Sequence, residues 1–356
     1  MSLSLIRNTL HAPVILPTLT PRVSPAIARC ISTFPLGRAT SSSTHTARLI
    51  GPQIGVYHFH SYSHRQTPSI EEQVPVQLAY EVVEPPNPFS EAVGQSLVIC
   101  HGLFGSKQNW RSLAKAFAVK LGMPVYTLDL RNHGQSPHAS PHSYSAMAAD
   151  IHHFLVSHKL TSGVNLLGHS MGGKAAMALA LNSDLNSPLR SLISVDMSPA
   201  KGKISPEFAS YINAMMDIER ARVKTKQEAD VILQKTEPVL AIRQFLLTNT
   251  RLSKSPSPHL TFRIPLSLLS AAIPQIGDFP YSPPPPVSSE SPQWNGPVLL
   301  IKAEQSKYLN KRNIPVAGSF FPQMRLEVLD TGHWVHAEKP AESVELVRLF
   351  VQGVVQ

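Results

Sequence analysis

The segment Gly168-His169-Ser170-Met171-Gly172 holds a serine between two glycines, a spacing able to turn an ordinary hydroxyl into a nucleophile. That reading depends on context. Where a strand runs into a helix through such a turn, the serine backbone is strained and its hydroxyl stands clear of the sheet. Val164-Asn165-Leu166-Leu167 precedes the turn with strand character, and Met171 to Leu181 follows with helical spacing. A serine hydroxyl also needs an adjacent base. Sixteen histidines compete for that role, and chain order selects among them, because proteins that present a serine this way place an acid after it and the histidine last. His333, in Asp330-Thr331-Gly332-His333-Trp334, follows the last apolar run, behind a glycine that lets the loop turn toward the sheet edge. His336 competes, but reads better as a structural or pocket-lining residue, and His169 as packing beside the serine.

The acid has two candidate positions. Asp196 closes Leu192-Ile193-Ser194-Val195-Asp196, directly after the strand that follows the serine helix, and is favoured. One strand later, Ile301-Lys302-Ala303-Glu304-Gln305-Ser306-Lys307-Tyr308 offers Glu304 instead. Asp129, in Asp129-Leu130-Arg131-Asn132-His133-Gly134, precedes the serine and reads as a residue that shapes its own loop by bonding nearby backbone groups. Acyl transfer further needs donors aimed at an oxyanion, and the backbone N–H groups of Met171, after the serine, and Leu103, in His101-Gly102-Leu103-Phe104-Gly105, are the candidates. No phosphate loop, paired Cys/His metal spacing or dinucleotide fingerprint competes, so neither metal nor cofactor is expected.

These residues must be positioned by a regular scaffold. Short apolar runs alternate with helical patterns from residue 76 on, which predicts an α/β fold with a mostly parallel sheet and helices on both faces. Strands are expected at Val76–Val83, Leu97–Cys100, Val125–Asp129, Val164–Leu167, Leu192–Asp196, Val298–Ala303 and Leu326–Leu329. Asn109–Leu121, Tyr144–Lys159 and Met171–Leu181 have the spacing of crossover helices. Between about 199 and 293 the strand rhythm stops. Helical patterns at Pro206–Gln234 and Pro238–Asn249, then Pro-rich chain including Pro283–Pro286, predict a cap inserted before the penultimate strand, with a mobile tether at its end.

Of 356 residues, the first 70 hold Arg7, Arg22, Arg29, Arg38, Arg48 and Arg65 with no lysine and no acid. With a net charge of +9 overall, the remainder is only about +3, so a nucleic-acid partner has no electrostatic support. The Arg-bearing, Ser/Thr-rich, acid-free segment 1–70 has the composition of a mitochondrial transit peptide, which predicts a protein of the mitochondrial matrix with its folded α/β domain at 71–356. An extension with no address is the bland alternative. No apolar run approaches the length of a membrane span. Cys30 falls inside the leader, leaving Cys100 alone and without a disulfide partner; it reads as a small buried strand residue.

Four motifs in order, His101-Gly102-Leu103-Phe104-Gly105-Ser106-Lys107, Asp129 to Pro137, Gly168 to Lys174 and Gly332 to Glu338, resemble the α/β-hydrolases, and within them the mitochondrial group of ABHD-eleven-type hydrolases and yeast ethanol acetyltransferases. The resemblance covers about residues 76–352 and departs at 274–293 and at Lys302-Ala303-Glu304. Val195-Asp196-Met197-Ser198-Pro199 is similar to the group's acid-bearing segment, which adds weight to Asp196. The resemblance implies a serine hydrolase that acts on an ester, thioester or acyl-CoA of small or medium acyl length, or an alcohol O-acyltransferase using the same residues. A non-catalytic interaction protein on this fold would be expected to have lost a site residue, and none is missing.

Overall fold

The computed structural model describes residues 74–254, 256–284 and 292–353. The expected leader 1–70 with Cys30 lies outside them, as do Pro285 and Pro286 of the proline tract. Nine strands are found among the described residues: β1 (Tyr80–Val83), β2 (Ser96–Cys100), β3 (Val125–Leu128), β4 (Val164–His169), β5 (Leu189–Val195), β6 (Thr250–Leu252), β7 (Leu260–Phe262), β8 (Val298–Ala303) and β9 (Met324–Leu329). Seven of them form one sheet in the order β1-β3-β2-β4-β5-β8-β9, and β6 and β7 pair as a separate antiparallel hairpin. Only β1 runs antiparallel to its neighbour in the large sheet. All seven expected strands are present in that sheet, with ends shifted by a few residues. Val76–Val83 shortens to β1, because Val76 N–H is instead taken by the Asp150 carboxylate at 2.7 Å.

Period-two alternation assigns the sheet's two faces. Val98, Leu166, Leu192 and Leu300 pack under α2 (Tyr144–Ser157) and α3 (Met171–Leu181), with Met147, Ile151, Ala175 and Leu179. Leu97, Ile99, Leu167, Ile193 and Leu299 pack on the opposite face, where α1 (Arg111–Leu121) and the C-terminal helix Pro340–Gly353 contribute Leu113, Phe117, Val347 and Phe350. Both faces of β2 are buried, which is why it reads as an unbroken apolar run. Cys100 is buried in it as expected, and burial pushes its thiol up to about 12.

Between β5 and β8 the chain leaves the sheet and builds the cap. It contains α4 (Pro206–Ala221), α5 (Lys226–Gln234), α6 (Leu240–Leu247), the β6–β7 hairpin, α7 (Leu266–Ala271) and α8 (Ile273–Gly277). The single helical pattern expected over Pro206–Gln234 is two helices. Arg222 adopts a left-handed conformation, φ 53°, and Thr225 caps the second helix by accepting the Glu228 N–H at 3.2 Å. The hairpin and the two short helices have too few residues to show a period. After the cap, α9 (Ile314–Phe320) links β8 to β9, and α10 (Val335–Glu338) leads into α11 (Pro340–Gly353). No helix of the described residues is long and apolar enough to cross a membrane.

Below the sheet edge, the loop after β3 is fixed by a buried ion pair. Arg131 Nε and Nη2 donate to the two Asp150 oxygens at 2.5 and 2.7 Å, and both residues are at most 1% exposed. Removing one partner strands the other charge in the interior, at a cost of about 3–5 kcal/mol. Asp150→Ala should therefore lower unfolding free energy by that order in urea titration, and an unchanged midpoint would contradict the assignment.

Candidate active site

The turn between β4 and α3 is set by contact between two backbones. A Cβ on Gly168 would lie 2.2 Å from Gly172 O, and one on Gly172 would lie 2.5 Å from Cys100 O and His101 O, so only glycine fits at either position. Ser170 between them has φ 52° and ψ −117°, a conformation that an L-residue holds only when its surroundings impose it. Its N–H donates to Val195 O at 3.1 Å, which ties the strained residue to the neighbouring strand end.

Three of the expected residues meet here. Ser170 Oγ lies 3.0 Å from His333 Nε2, and His333 Nδ1 lies 2.7 Å from Asp196 Oδ2. Asp196, fully buried and at φ 50°, follows β5 directly, and its N–H donates to Ile301 O at 2.8 Å. Its second oxygen accepts the Ala303 N–H at 3.2 Å, so the carboxylate is oriented from β8 as well as from its own strand. Glu304 is elsewhere: its exposed carboxylate pairs with Lys302 at 2.7 Å. The Nδ1 position of His333 is taken by Asp196. Asp129 accepts Lys107 N–H at 2.7 Å, Lys107 Nζ at 2.6 Å and Gln135 N–H at 2.9 Å, in keeping with its expected role within its own loop.

Met171, as the first residue of α3, has an N–H with no intrahelical acceptor. Leu103 lies in the loop after β2, beside Ser170. That loop is pinned by contacts the sequence did not announce. Phe104 N–H donates to His133 Nε2 at 3.1 Å, Leu130 N–H donates to His101 Nε2 at 3.0 Å, and Asn249 of the cap donates to Phe104 O at 2.8 Å. Phe104 itself is held at φ 61°. A signal for these residues existed only in their place within the motifs; the Asn249 contact spans 145 positions and has none.

Burial lowers the pKa of His101, His133 and His169, the last two well below the ordinary histidine value, and brings His336 to about 3, with the His333 charge as its second cause. These rings are neutral, and those of His101, His133 and His169 serve as fixed donors and acceptors. His169 Nε2 donates to His333 O at 2.9 Å, so it does more than pack: it anchors the loop that carries His333. His336 lies on the Trp110 ring, centroids 4.1 Å apart and nearly parallel, and lines the site, as expected.

Two cavities open from Ser170. One is small, about 30 Å³, and is walled by Trp110, Phe208, Tyr211, Phe245, Trp334 and His336. The other is about 320 Å³ and runs past Tyr308, Lys174 and Met197 toward Lys201, Lys203, Lys307 and Arg312, with no carboxylate in its wall. A hydroxyl, an imidazole and a carboxylate in one row, beside free backbone donors and room for two parts of a substrate, suit attack on a carbonyl carbon.

The profile of the alpha/beta hydrolase fold matches residues 95–340. The chain belongs to that family. It is 38% identical over 300 residues to a probable alcohol acetyltransferase of Saccharomyces cerevisiae, covering 79% of this chain and 85% of that one. It is 36% identical over 283 residues to the sn-1-specific diacylglycerol lipase ABHD11 of Xenopus laevis, covering 78% and 85%. Among solved structures it resembles a marine microorganism esterase, at a TM-score of 0.66 and 31% identity, over 77% of this chain and 99% of that one. Within the alpha/beta hydrolases, this chain thus falls in the group that holds the ABHD11 lipases and the ethanol acetyltransferases.

The His169 contact yields a test. His169→Phe keeps an aromatic ring and removes the donor to His333 O, so turnover of an ester substrate should fall by up to about 10²-fold through misplacement of the imidazole. Unchanged turnover would assign His169 to packing alone.

Proposed function

We propose that this protein is a serine hydrolase for esters or thioesters of small acyl groups, working through an acyl-enzyme on Ser170. The observation that carries the reading is the unbroken row from Ser170 Oγ to His333 Nε2 at 3.0 Å and from His333 Nδ1 to Asp196 at 2.7 Å. His333 Nε2 takes the Ser170 proton as Oγ attacks the carbonyl carbon. Asp196 holds the imidazole in the tautomer with its free nitrogen toward serine and stabilises the imidazolium that forms. The developing oxyanion accepts hydrogen bonds from the N–H groups of Met171 and Leu103. The imidazolium then protonates the leaving oxygen or sulfur, and the acyl group stays on Oγ. Water, deprotonated by His333 in turn, releases the acid.

The two cavities support a division of the substrate. A space of about 30 Å³ admits an acetyl-sized group, and aromatic walls close it. The larger cavity takes the leaving group, and its cations Lys201, Lys203, Lys307 and Arg312 suit an anionic one such as the phosphates of an acyl-CoA. A second reading rests on the kinship with alcohol acetyltransferases: the same acyl-enzyme resolved by an alcohol is an O-acyltransferase. The arginine-bearing, acid-free composition of residues 1–70 supports a mitochondrial address for either activity.

Labelling by a fluorophosphonate probe is expected for the wild type and absent in Ser170→Ala; label that survives in the variant removes the nucleophile assigned here. Asp196→Asn should lower turnover by roughly 10⁴-fold with folding intact. A near-normal rate there, with loss in Glu304→Gln, would move the acid to Glu304. Supplying ethanol with the acyl donor separates the two activities: free acid as the main product supports the hydrolase, and ethyl ester well above hydrolysis supports the transferase.

A further inference from the structure

Lys174 stands one turn after Ser170 on α3, and the acyl chemistry above leaves it without a task. It is 4% exposed, yet no carboxylate neutralises it by direct contact. Its Nζ donates instead to two backbone carbonyls of the cap, Gly277 O at 3.2 Å and Asp278 O at 2.9 Å. The Tyr144 ring lies beneath the ammonium, 5.4 Å from Nζ to centroid. A charge kept in the interior without a counter-ion is costly, and charge-assisted bonds to backbone carbonyls offset part of that cost.

Those carbonyls belong to the end of α8, the segment that walls the larger cavity opposite the serine helix. Three consecutive carbonyls are each taken by a different element: Ile276 O by Tyr144 Oη of α2 at 2.7 Å, Gly277 O by Gly202 N–H after β5 at 2.9 Å, and Asp278 O by Lys174 of α3. Lys174, Ile276 and Gly277 all line the cavity that opens from Ser170. Of the three ties, only the one through Lys174 comes from the helix that Ser170 starts, and only it carries charge.

We propose that Lys174 is a specificity-determining residue, a latch that holds the α8 wall of the cap against the serine helix and so limits the size of the group accepted in the larger cavity. This rests on the reading of Ser170 as the nucleophile. With the ammonium in place the wall is close; without it, α8 keeps two neutral ties and can draw back. The charged groups that face Lys174 are few. Asp278 has its carboxylate toward Lys201 at 3.5 Å and favours the charged ammonium, Tyr144 is held neutral by burial, and Lys201, Lys203, Lys307 and Arg312 stand farther along the cavity. Burial dominates and brings the lysine down to about 8, against the partial opposition of Asp278.

The sign of the pH effect follows. The folded value lies below the ordinary one, so the unfolded chain binds more protons between about 8 and the ordinary lysine value, and this group's contribution to global stability rises with pH through that window. What is lost through about pH 8 is the charge-assisted latch alone. Selectivity for larger groups thus rises while the protein is not being destabilised, a readout that a merely structural lysine would not move.

The test is the ratio of kcat/KM for octyl acetate to that for ethyl acetate, a pair that differs only in the leaving group, in wild type and in Lys174→Met, below and above pH about 8. A ratio cancels the titration of the shared base and spontaneous hydrolysis is subtracted. Lys174→Met should raise the ratio about tenfold, equivalent to about 1.4 kcal/mol. The wild-type ratio should rise across pH 8 and that of the variant should stay flat. An unchanged ratio in a folded variant, a flat wild-type profile, or the same rise in both proteins overturns the latch. Should the variant not fold, the wild-type profile still decides. If instead neither ester is turned over and Ser170 is not labelled by fluorophosphonate, the failure lies in the nucleophile assignment and not in Lys174.

Discussion

The close approach of Gly168 to Gly172 is the constraint on which the site depends. With less than the room of one methyl group between the two backbones, the chain reverses within five residues and forces Ser170 to φ 52°. That geometry has consequences in both directions along the chain. It sends α3 back under the sheet with Met171 N–H free at its start, and it places the serine hydroxyl at the C-terminal ends of parallel strands, where the end of β5 and the loop after β9 also deliver side chains and β8 a backbone donor. The strain is held by the hydrogen bond from Ser170 N–H to Val195 O and by the packing of α3, all eleven residues of which are buried.

A second layer of contacts fixes what the turn presents. Asp196 receives a backbone donor from β8 and the imidazole of His333, while His333 receives a donor from His169 on its carbonyl. The loop bearing Leu103 is held by imidazoles from two directions and by Asn249 of the cap. Neutral histidines suit these posts, because a ring that burial keeps uncharged offers one donor and one acceptor in fixed directions. The cap therefore does more than cover the site. Through Asn249 on one side and the α8 carbonyls on the other, it is joined to both the loop that carries Leu103 and the serine helix.

Much of this was legible in the sequence, for reasons particular to each element. The seven sheet strands announce themselves because burial on both faces demands apolar runs, and the serine turn because two glycines and a strand-to-helix change are dictated by sterics. Asp196 and His333 are legible through chain order, which reflects the order in which parallel strands reach the same edge. Glu304 could be set aside only by geometry, since the spacing permits it and its pairing with Lys302 is visible only in three dimensions. The cap was read least well. Arg222 breaks one helical pattern with no glycine to signal it, the β6–β7 strands are three residues each, and the tie from Lys174 to Asp278 joins positions 104 apart. Local rules cannot see contacts of that range.

The central claim is a covalent acyl intermediate on Ser170. Its most direct test is rapid acid quenching of the enzyme during turnover of a p-nitrophenyl acetate, followed by proteolysis and peptide mass mapping. The account predicts an acetyl adduct on the peptide that spans Gly168 to Lys174, formed as fast as the first equivalent of nitrophenol is released. Steady turnover with no adduct on that peptide, or with the adduct on another residue, would contradict it.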